Sequence, residues 1–106
     1  MARFDVYPNP EPTRSRDVPY LLDVQSDLLD GLDSRVVIPL RSLAHFPKIR
    51  LPARLTPVLT IEGTDCLLET PKMGAVPLRA LKSPVTSLAH AQEQITAALD
   101  FLFQGY

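Results

Sequence analysis

The side chains best suited to covalent chemistry are two serine–histidine pairs and a single cysteine. Ser42 precedes His45 by three residues, and Ser87 precedes His90 by the same spacing. A serine nucleophile needs a histidine base and a third group that orients this base, and neither pair has such a group close by in sequence. Cys66 is followed by Leu67 and Leu68 and has no basic residue beside it, whereas a reactive thiolate needs a cationic environment. We therefore predict no catalytic residue and a buried, structural thiol.

Metal and phosphate sites are also not indicated. The histidines and the cysteine do not show the paired spacing of zinc ligands, and the four glycines are scattered instead of forming a phosphate-binding loop. Asp23, Asp27, Asp30 and Asp33 form an acidic run that lacks the alternating ligands and terminal Glu of an EF-hand. We interpret this run as a solvated strand exit and turn, and we expect no metal and no cofactor.

The composition indicates one globular domain over residues 1–106. The chain is 45% hydrophobic and 22% charged, and its 11 basic and 12 acidic residues give a net charge of −1. A protein that binds nucleic acid directly needs a basic surplus to displace counterions, so such a role is disfavoured. One cysteine excludes an intrachain disulfide, the apolar runs are too short to span a membrane, and the N-terminus lacks the apolar stretch of a signal peptide. We expect a cytoplasmic protein without membrane contacts.

The proline distribution separates a β region from a helical region. Eleven prolines lie in the first 84 residues and none follows Pro84, and proline interrupts helices and sheet ladders. We therefore expect short strands within residues 3–82. The alternating or β-branched segments that predict them are residues 4–7, 20–25, 36–38, 57–61, 66–69 and 73–76, and the fourth and fifth should form a hairpin around Gly63.

The proline-free end predicts one long helix over about residues 87–103. Apolar residues recur there at three- and four-residue steps, namely Leu88, Ala91, Ile95, Ala98, Leu99 and Leu102. Ser87 is the predicted N-cap, and Gly105 can adopt the left-handed conformation that ends a helix. The fold class is thus mostly β with a C-terminal helix, as an antiparallel barrel or sandwich. We expect a homodimer that covers Phe101 and Phe103, the alternative being that both complete the monomer core.

Two segments have the composition of interaction surfaces. Leu28 and Leu29 are flanked by acidic residues at a turn, and three aromatic residues lie among the last six positions of the chain. Exposed apolar groups and aromatic residues often anchor partner proteins. The alternatives are that the leucines tuck under the barrel and that the C-terminal tail folds back. From pattern alone, we predict a small dimeric interaction protein.

Several segments, taken in order, resemble the CcdB family of toxins, which are gyrase poisons of toxin–antitoxin modules. They are DVQSDLLD at 23–30, RVVIPL at 35–40, LTPV at 55–58, MGAVP at 73–77, LAH at 88–90 and FQGY at 103–106. The resemblance implies an SH3-like antiparallel β-barrel with a small extra sheet and one long C-terminal α-helix. It further implies a homodimer without enzyme activity.

The resemblance also implies partners and site residues. A type II toxin of this family binds the A subunit of DNA gyrase and traps the gyrase–DNA cleavage complex. A CcdA-like antitoxin neutralises the toxin, and the two co-repress their operon, often in plasmid maintenance, with the antitoxin alone touching DNA. The family's partner-binding positions fall on Leu28, Leu29, Asp30, Asp100, Phe103, Gln104, Gly105 and Tyr106.

Three of these positions differ from the family pattern, which has Asn, Trp and Ile where this chain has Asp100, Gln104 and Tyr106. A non-toxic relative that acts only as an antitoxin-binding co-repressor is therefore an alternative. A further alternative is a MazF-like RNA endonuclease, because the same barrel serves such toxins. Its candidate residues would be Arg14, Arg16 or Arg35 with an aspartate.

Overall fold

A computed structural model describes residues 2–45 and 52–106, and this part of the chain forms seven strands and one α-helix. The elements in chain order are β1 (Asp5–Pro8), β2 (Tyr20–Asp23), β3 (Ser34–Ser42), β4 (Val58–Ile61), β5 (Thr64–Leu68), β6 (Gly74–Pro77), β7 (Thr86–Ser87) and α1 (Gln92–Gln104). Short 3-10 turns follow several strands. The prediction of short strands followed by one C-terminal helix is confirmed.

The strands form one antiparallel sheet that branches at β3. The main path runs β4-β5-β3-β2-β1-β7, and β6 pairs with the first half of β3 while β5 pairs with its second half. The sheet curls into a half-barrel, which is consistent with the expected barrel, and β6 branches from β3 within this one sheet. Pro39, which cannot donate a ladder hydrogen bond, lies between the two stretches of β3 that pair with β6 and β5.

The sheet buries apolar side chains on both faces. On one face, α1 covers the larger core through Ile95 and Ala98, which pack with Val6, Leu22, Ile38, Leu40, Ile61, Cys66 and Leu68 among others. On the other face, a smaller cluster contains Tyr7, Leu21, Val37 and Leu81. Val37 and Ile38 thus point to opposite cores, as their uninterrupted β-branched run predicts.

The hairpin between β4 and β5 turns on two residues with positive φ. Glu62 has a φ of 49° and Gly63 a φ of 81°, and two successive positive values are the signature of a type I′ turn. The predicted hairpin around Gly63 is confirmed, with strands that end and begin directly at this turn.

The predicted start of the helix at Ser87 is wrong, because α1 begins at Gln92. Ser87 pairs with Asp5 as part of β7, and the Leu88 N–H donates to the Phe4 carbonyl over 2.8 Å. A 3-10 turn over Ala89–Ala91 then leads into the helix. The Ser87 hydroxyl does accept a backbone N–H, from Ala89 at 3.2 Å, but it does so at this turn and not at the α-helix.

Candidate functional site

The loop between β2 and β3 presents leucines to solvent. We name residues 27–32 the leucine loop. Its first half is a 3-10 turn, Asp27–Leu29, in which the Ser26 hydroxyl accepts the Leu28 N–H at 3.2 Å. Leu28 is 94% exposed, and Leu29 and Leu32 are each 50% exposed. The leucines therefore do not tuck under the sheet, and Leu32 joins the two that the sequence had indicated.

A buried arginine lies directly beneath this loop. The Arg35 side chain is fully buried, and its Nη2 lies 2.7 Å from Asp23 Oδ2, which also receives a hydrogen bond from Nε at 2.9 Å. Nη2 donates to the Gln25 carbonyl at 3.2 Å. Toward the surface, Nη1 lies 3.5 Å from Asp30 Oδ1 and Nη2 lies 3.9 Å from Asp27 Oδ1. One guanidinium thus connects the end of β2 with both ends of the 3-10 turn.

The Gln25 side chain provides a second link to the loop. Its Nε2 donates to the carbonyls of Leu29 and Ser34, each at 3.2 Å, and its Oε1 accepts the Val36 N–H at 3.0 Å. From the other side, the Arg3 N–H donates to Asp27 Oδ1 at 2.7 Å. Polar groups therefore hold a loop that has little apolar packing of its own.

The interpretation of Asp23 as part of a solvated acidic run is wrong. Asp23 is fully buried and Gln25 nearly so. Burial raises the pKa of the Asp23 carboxyl, and the hydrogen bonds and charge of Arg35 offset this only in part. Asp27, Asp30 and Asp33 are exposed, as expected. The one sequence signal for this buried ion pair is the position of Arg35 directly before the apolar run of β3.

The second surface lies at the end of α1, and we name residues 103–106 the aromatic end. Phe103 is 71% exposed and Tyr106 is 73% exposed, with Gln104 and Gly105 also exposed. Gly105 has a φ of 80°, and its N–H donates to the Phe101 carbonyl at 2.9 Å. This left-handed C-cap is the one predicted from the sequence.

Asp100 is exposed on the last turns of the same helix. Phe101 is half-buried, and the Arg54 guanidinium carbon lies 4.9 Å from the centre of its ring. The alternative that Phe101 and Phe103 both complete the monomer core is therefore wrong for Phe103. The eight predicted partner-binding residues lie on two separate elements, the leucine loop and the end of α1.

The structure gives Cys66, Ser87 and Arg35 structural surroundings and does not support a catalytic role for them. Cys66 is fully buried, and burial raises the pKa of its thiol to about 11, which suits a structural thiol. The Ser87 hydroxyl accepts the Ala89 N–H, and His90 is exposed. Arg35 is enclosed by its carboxylate partners and is out of reach of an RNA substrate.

The described part of the chain holds neither a cluster of metal ligands nor a helix of membrane-spanning character. Within residues 2–45 and 52–106, no group of three or more His, Cys, Asp or Glu side chains is placed to hold a metal ion. In the same residues, no helix is both long enough and apolar enough to cross a membrane.

The protein is a small β protein with a curled antiparallel sheet and one C-terminal helix. It exposes apolar side chains at two places, the leucine loop and the aromatic end. The family model described as "CcdB protein" matches residues 3–105. The chain belongs to the CcdB family. This family comprises toxins of toxin–antitoxin modules that poison DNA gyrase and are not themselves enzymes. Its general partners are an antitoxin and gyrase.

Proposed function

We propose that this protein is the toxin of a type II toxin–antitoxin module, that it binds the A subunit of DNA gyrase, and that it traps gyrase on cleaved DNA. The observation that carries this proposal is the family match over residues 3–105. A ligand that binds one conformation of an enzyme more tightly shifts the enzyme toward that conformation. Trapping of the cleavage complex follows if the toxin fits only the open form of gyrase.

The exposure of the family's partner-binding positions supports this proposal. Leu28 and Leu29 project from the leucine loop, and Phe103 and Tyr106 project from the aromatic end. Large apolar side chains at such exposure are costly to a monomer in water and become favourable when a partner covers them. Asp30 and Asp100 add acidic groups beside them, which favours a basic partner surface.

The same surfaces support assembly with a second copy and with an antitoxin. We propose a homodimer in which exposed groups at the end of α1 contribute to the interface. A CcdA-like antitoxin then neutralises the dimer, and the complex represses its own operon. The net charge of −1 is insufficient for direct DNA binding, so the antitoxin supplies the DNA contact.

One sequence feature favours a second candidate, a non-toxic relative that acts only as an antitoxin-binding co-repressor. The family's Trp, which stacks on an arginine of gyrase, is replaced by Gln104, and an amide has no aromatic face for a cation. A MazF-like endonuclease is disfavoured because Arg35 is buried in an ion pair. Arg14 and Arg16, its other candidates, are exposed.

The test is cleavage of supercoiled plasmid by purified gyrase from the source organism, with ATP and with or without this protein. We expect linear DNA only when the protein is present. The informative variant is Leu28→Ala, which removes the most exposed leucine, and its matched control is Leu43→Ala, which removes an exposed leucine outside both surfaces. Leu28→Ala should reduce linear DNA at equal protein concentration, whereas Leu43→Ala should not.

The outcome also separates the toxin from its two alternatives. No cleavage at micromolar concentrations of folded dimer, together with tight antitoxin binding, would support the non-toxic co-repressor. Degradation of RNA by the purified protein alone would instead support the endonuclease.

A further inference from the structure

We propose that Arg35 is a positioning residue for the leucine loop: its buried guanidinium fixes the conformation in which Leu28 and Leu29 meet a partner, without touching that partner. The proposal rests on the proposed function only in that the loop contacts gyrase. A fully buried side chain usually affects only the stability of a protein, whereas Arg35 would also affect binding.

The inner contacts of Arg35 fix the guanidinium itself. Asp23 Oδ2 receives both Nε at 2.9 Å and Nη2 at 2.7 Å, and Nη2 also donates to the Gln25 carbonyl at 3.2 Å. Both side chains of the ion pair are fully buried, so water does not compete with these bonds. The planar fork of an arginine is held in one orientation by such contacts.

The outer contacts transmit this orientation to the loop. Nη1 lies 3.5 Å from Asp30 Oδ1, and Nη2 lies 3.9 Å from Asp27 Oδ1. These two carboxylates flank Leu28 and Leu29, so a single cation restrains the 3-10 turn at both ends. Each outer contact is long and exposed and contributes little alone. Their effect comes from sharing one rigid buried donor.

The loop depends on these polar contacts because apolar packing does not hold it. Residues 27–33 are all exposed, and the backbone of the turn is held by the Ser26 hydroxyl, the Ser26 carbonyl and the Gln25 amide. A loop that must be ordered during binding loses affinity through lost conformational freedom. A loop that is already ordered avoids this loss, and Arg35 adds to the hydrogen bonds of Ser26 and Gln25 the ion pairs that restrain both ends of the turn.

The first experiment measures the loop in the free protein. In Arg35→Lys the charge remains but the fork is lost, so one ammonium can no longer reach Asp23, Asp27 and Asp30 together. We expect amide hydrogen exchange to become at least about tenfold faster over residues 28–32 and to stay unchanged over residues 64–68 of β5. Unchanged exchange in the loop would overturn the proposal, and this result does not depend on gyrase.

The second experiment measures affinity for the purified gyrase A subunit. We expect Arg35→Lys to weaken binding about tenfold. This factor corresponds to the free-energy cost of immobilising one or two side chains that are no longer ordered before binding. The control is Ile61→Val, which loosens the buried core beneath β4 without touching the loop. At a temperature where both variants are folded, Ile61→Val should bind as the wild type does.

A double-mutant cycle separates positioning from plain stability. If Arg35 acts through the loop, Arg35→Lys should weaken binding by threefold or less once Leu28→Ala has removed the main contact. A full tenfold effect in the Leu28→Ala background would show that Arg35 acts elsewhere and would overturn the proposal. Failure of the wild type to bind gyrase would instead count against the proposed function, while the exchange experiment would still decide the role of Arg35.

Discussion

Arg35 Nη2 lies 2.7 Å from Asp23 Oδ2, with both side chains fully buried. The two residues are 12 positions apart and lie on β2 and β3, which are adjacent in the sheet. A buried ion pair gains Coulomb energy but loses hydration, so its net contribution to stability is small, whereas breaking it leaves an unpaired charge. The pair therefore makes the fold sensitive to loss of either partner.

We predict that Asp23→Ala lowers the free energy of unfolding by about 3 to 5 kcal/mol, because it leaves the Arg35 charge buried and unpaired. Asp23→Asn should cost less, since an amide oxygen still accepts a hydrogen bond and burial already penalises the charged carboxyl, as its raised pKa indicates. Urea denaturation measures both. The control is Asp33→Asn, an exposed aspartate of the same acidic run, which should change stability by less than about 0.5 kcal/mol. A cost for Asp23→Ala as small as that of the control would contradict the prediction.

The turn between β4 and β5 offers a second prediction, because both of its residues have positive φ. Gly63→Ala should lower the free energy of unfolding by about 1 to 2 kcal/mol, since a Cβ is strained in the left-handed region. Glu62→Asn should raise it by about 0.5 to 1 kcal/mol, because Asn-Gly is the favoured type I′ pair.

Thermal unfolding, followed by circular dichroism, measures these changes. Gly74→Ala is the control, since this glycine has no positive φ and its added Cβ meets nothing within 4 Å. If Gly63→Ala and Gly74→Ala unfold at the same temperature, the positive φ at Gly63 does not limit stability.

The hairpin and the leucine loop show which parts of the molecule the sequence predicts. The turn at Gly63 depends on adjacent residues, so the local sequence pattern is sufficient to predict the hairpin. The crowding of leucines and acids at one turn indicated an exposed surface, but it left open that Leu28 and Leu29 tuck under the barrel, and the structure decides for exposure. Family resemblance supplied the partners, which no local pattern could supply.

The errors arose where distant residues decide the structure. Ser87 begins no helix because Asp5, more than 80 positions away, pairs with it in the sheet. Asp23 stands in a run of otherwise exposed aspartates, and its pairing with Arg35 on the neighbouring strand accounts for its burial. Sequence periodicity describes neighbours along the chain and does not report such contacts across the sheet.

At the aromatic end, we predict that Gln104→Trp strengthens binding to the gyrase A subunit about tenfold. An indole ring on this exposed position can stack on a cation, which is worth about 1 to 2 kcal/mol when desolvated. Titration of gyrase A with each protein measures the change. Gln92→Trp is the control, since it adds the same ring to an exposed glutamine at the start of α1 and should leave affinity unchanged. Equal affinity of Gln104→Trp and the wild type would show that residue 104 lies outside the contact with gyrase.

The buried thiol predicts a loss of stability in alkali. Burial, with a smaller contribution from the charge of Asp65, raises the pKa of Cys66 from 9.0 to about 11 in the folded protein. Above pH 9 the unfolded chain releases this proton while the folded protein retains it, so the free energy of unfolding falls as pH rises. Between pH 9 and pH 10.5 the loss from this one group is on the order of 1 to 2 kcal/mol.

Comparison with Cys66→Ala isolates this contribution. The variant should be less stable at pH 8, because it leaves a small cavity in the core, but it should lose less stability between pH 8 and pH 10.5 than the wild type. Tyr7 and Tyr20, whose pKa values burial also raises, act in the same direction in both proteins and largely cancel in the comparison. Urea denaturation at the two pH values measures the difference. Parallel losses in the two proteins would mean that Cys66 does not stay protonated in the folded state, and that the core beneath α1 admits water.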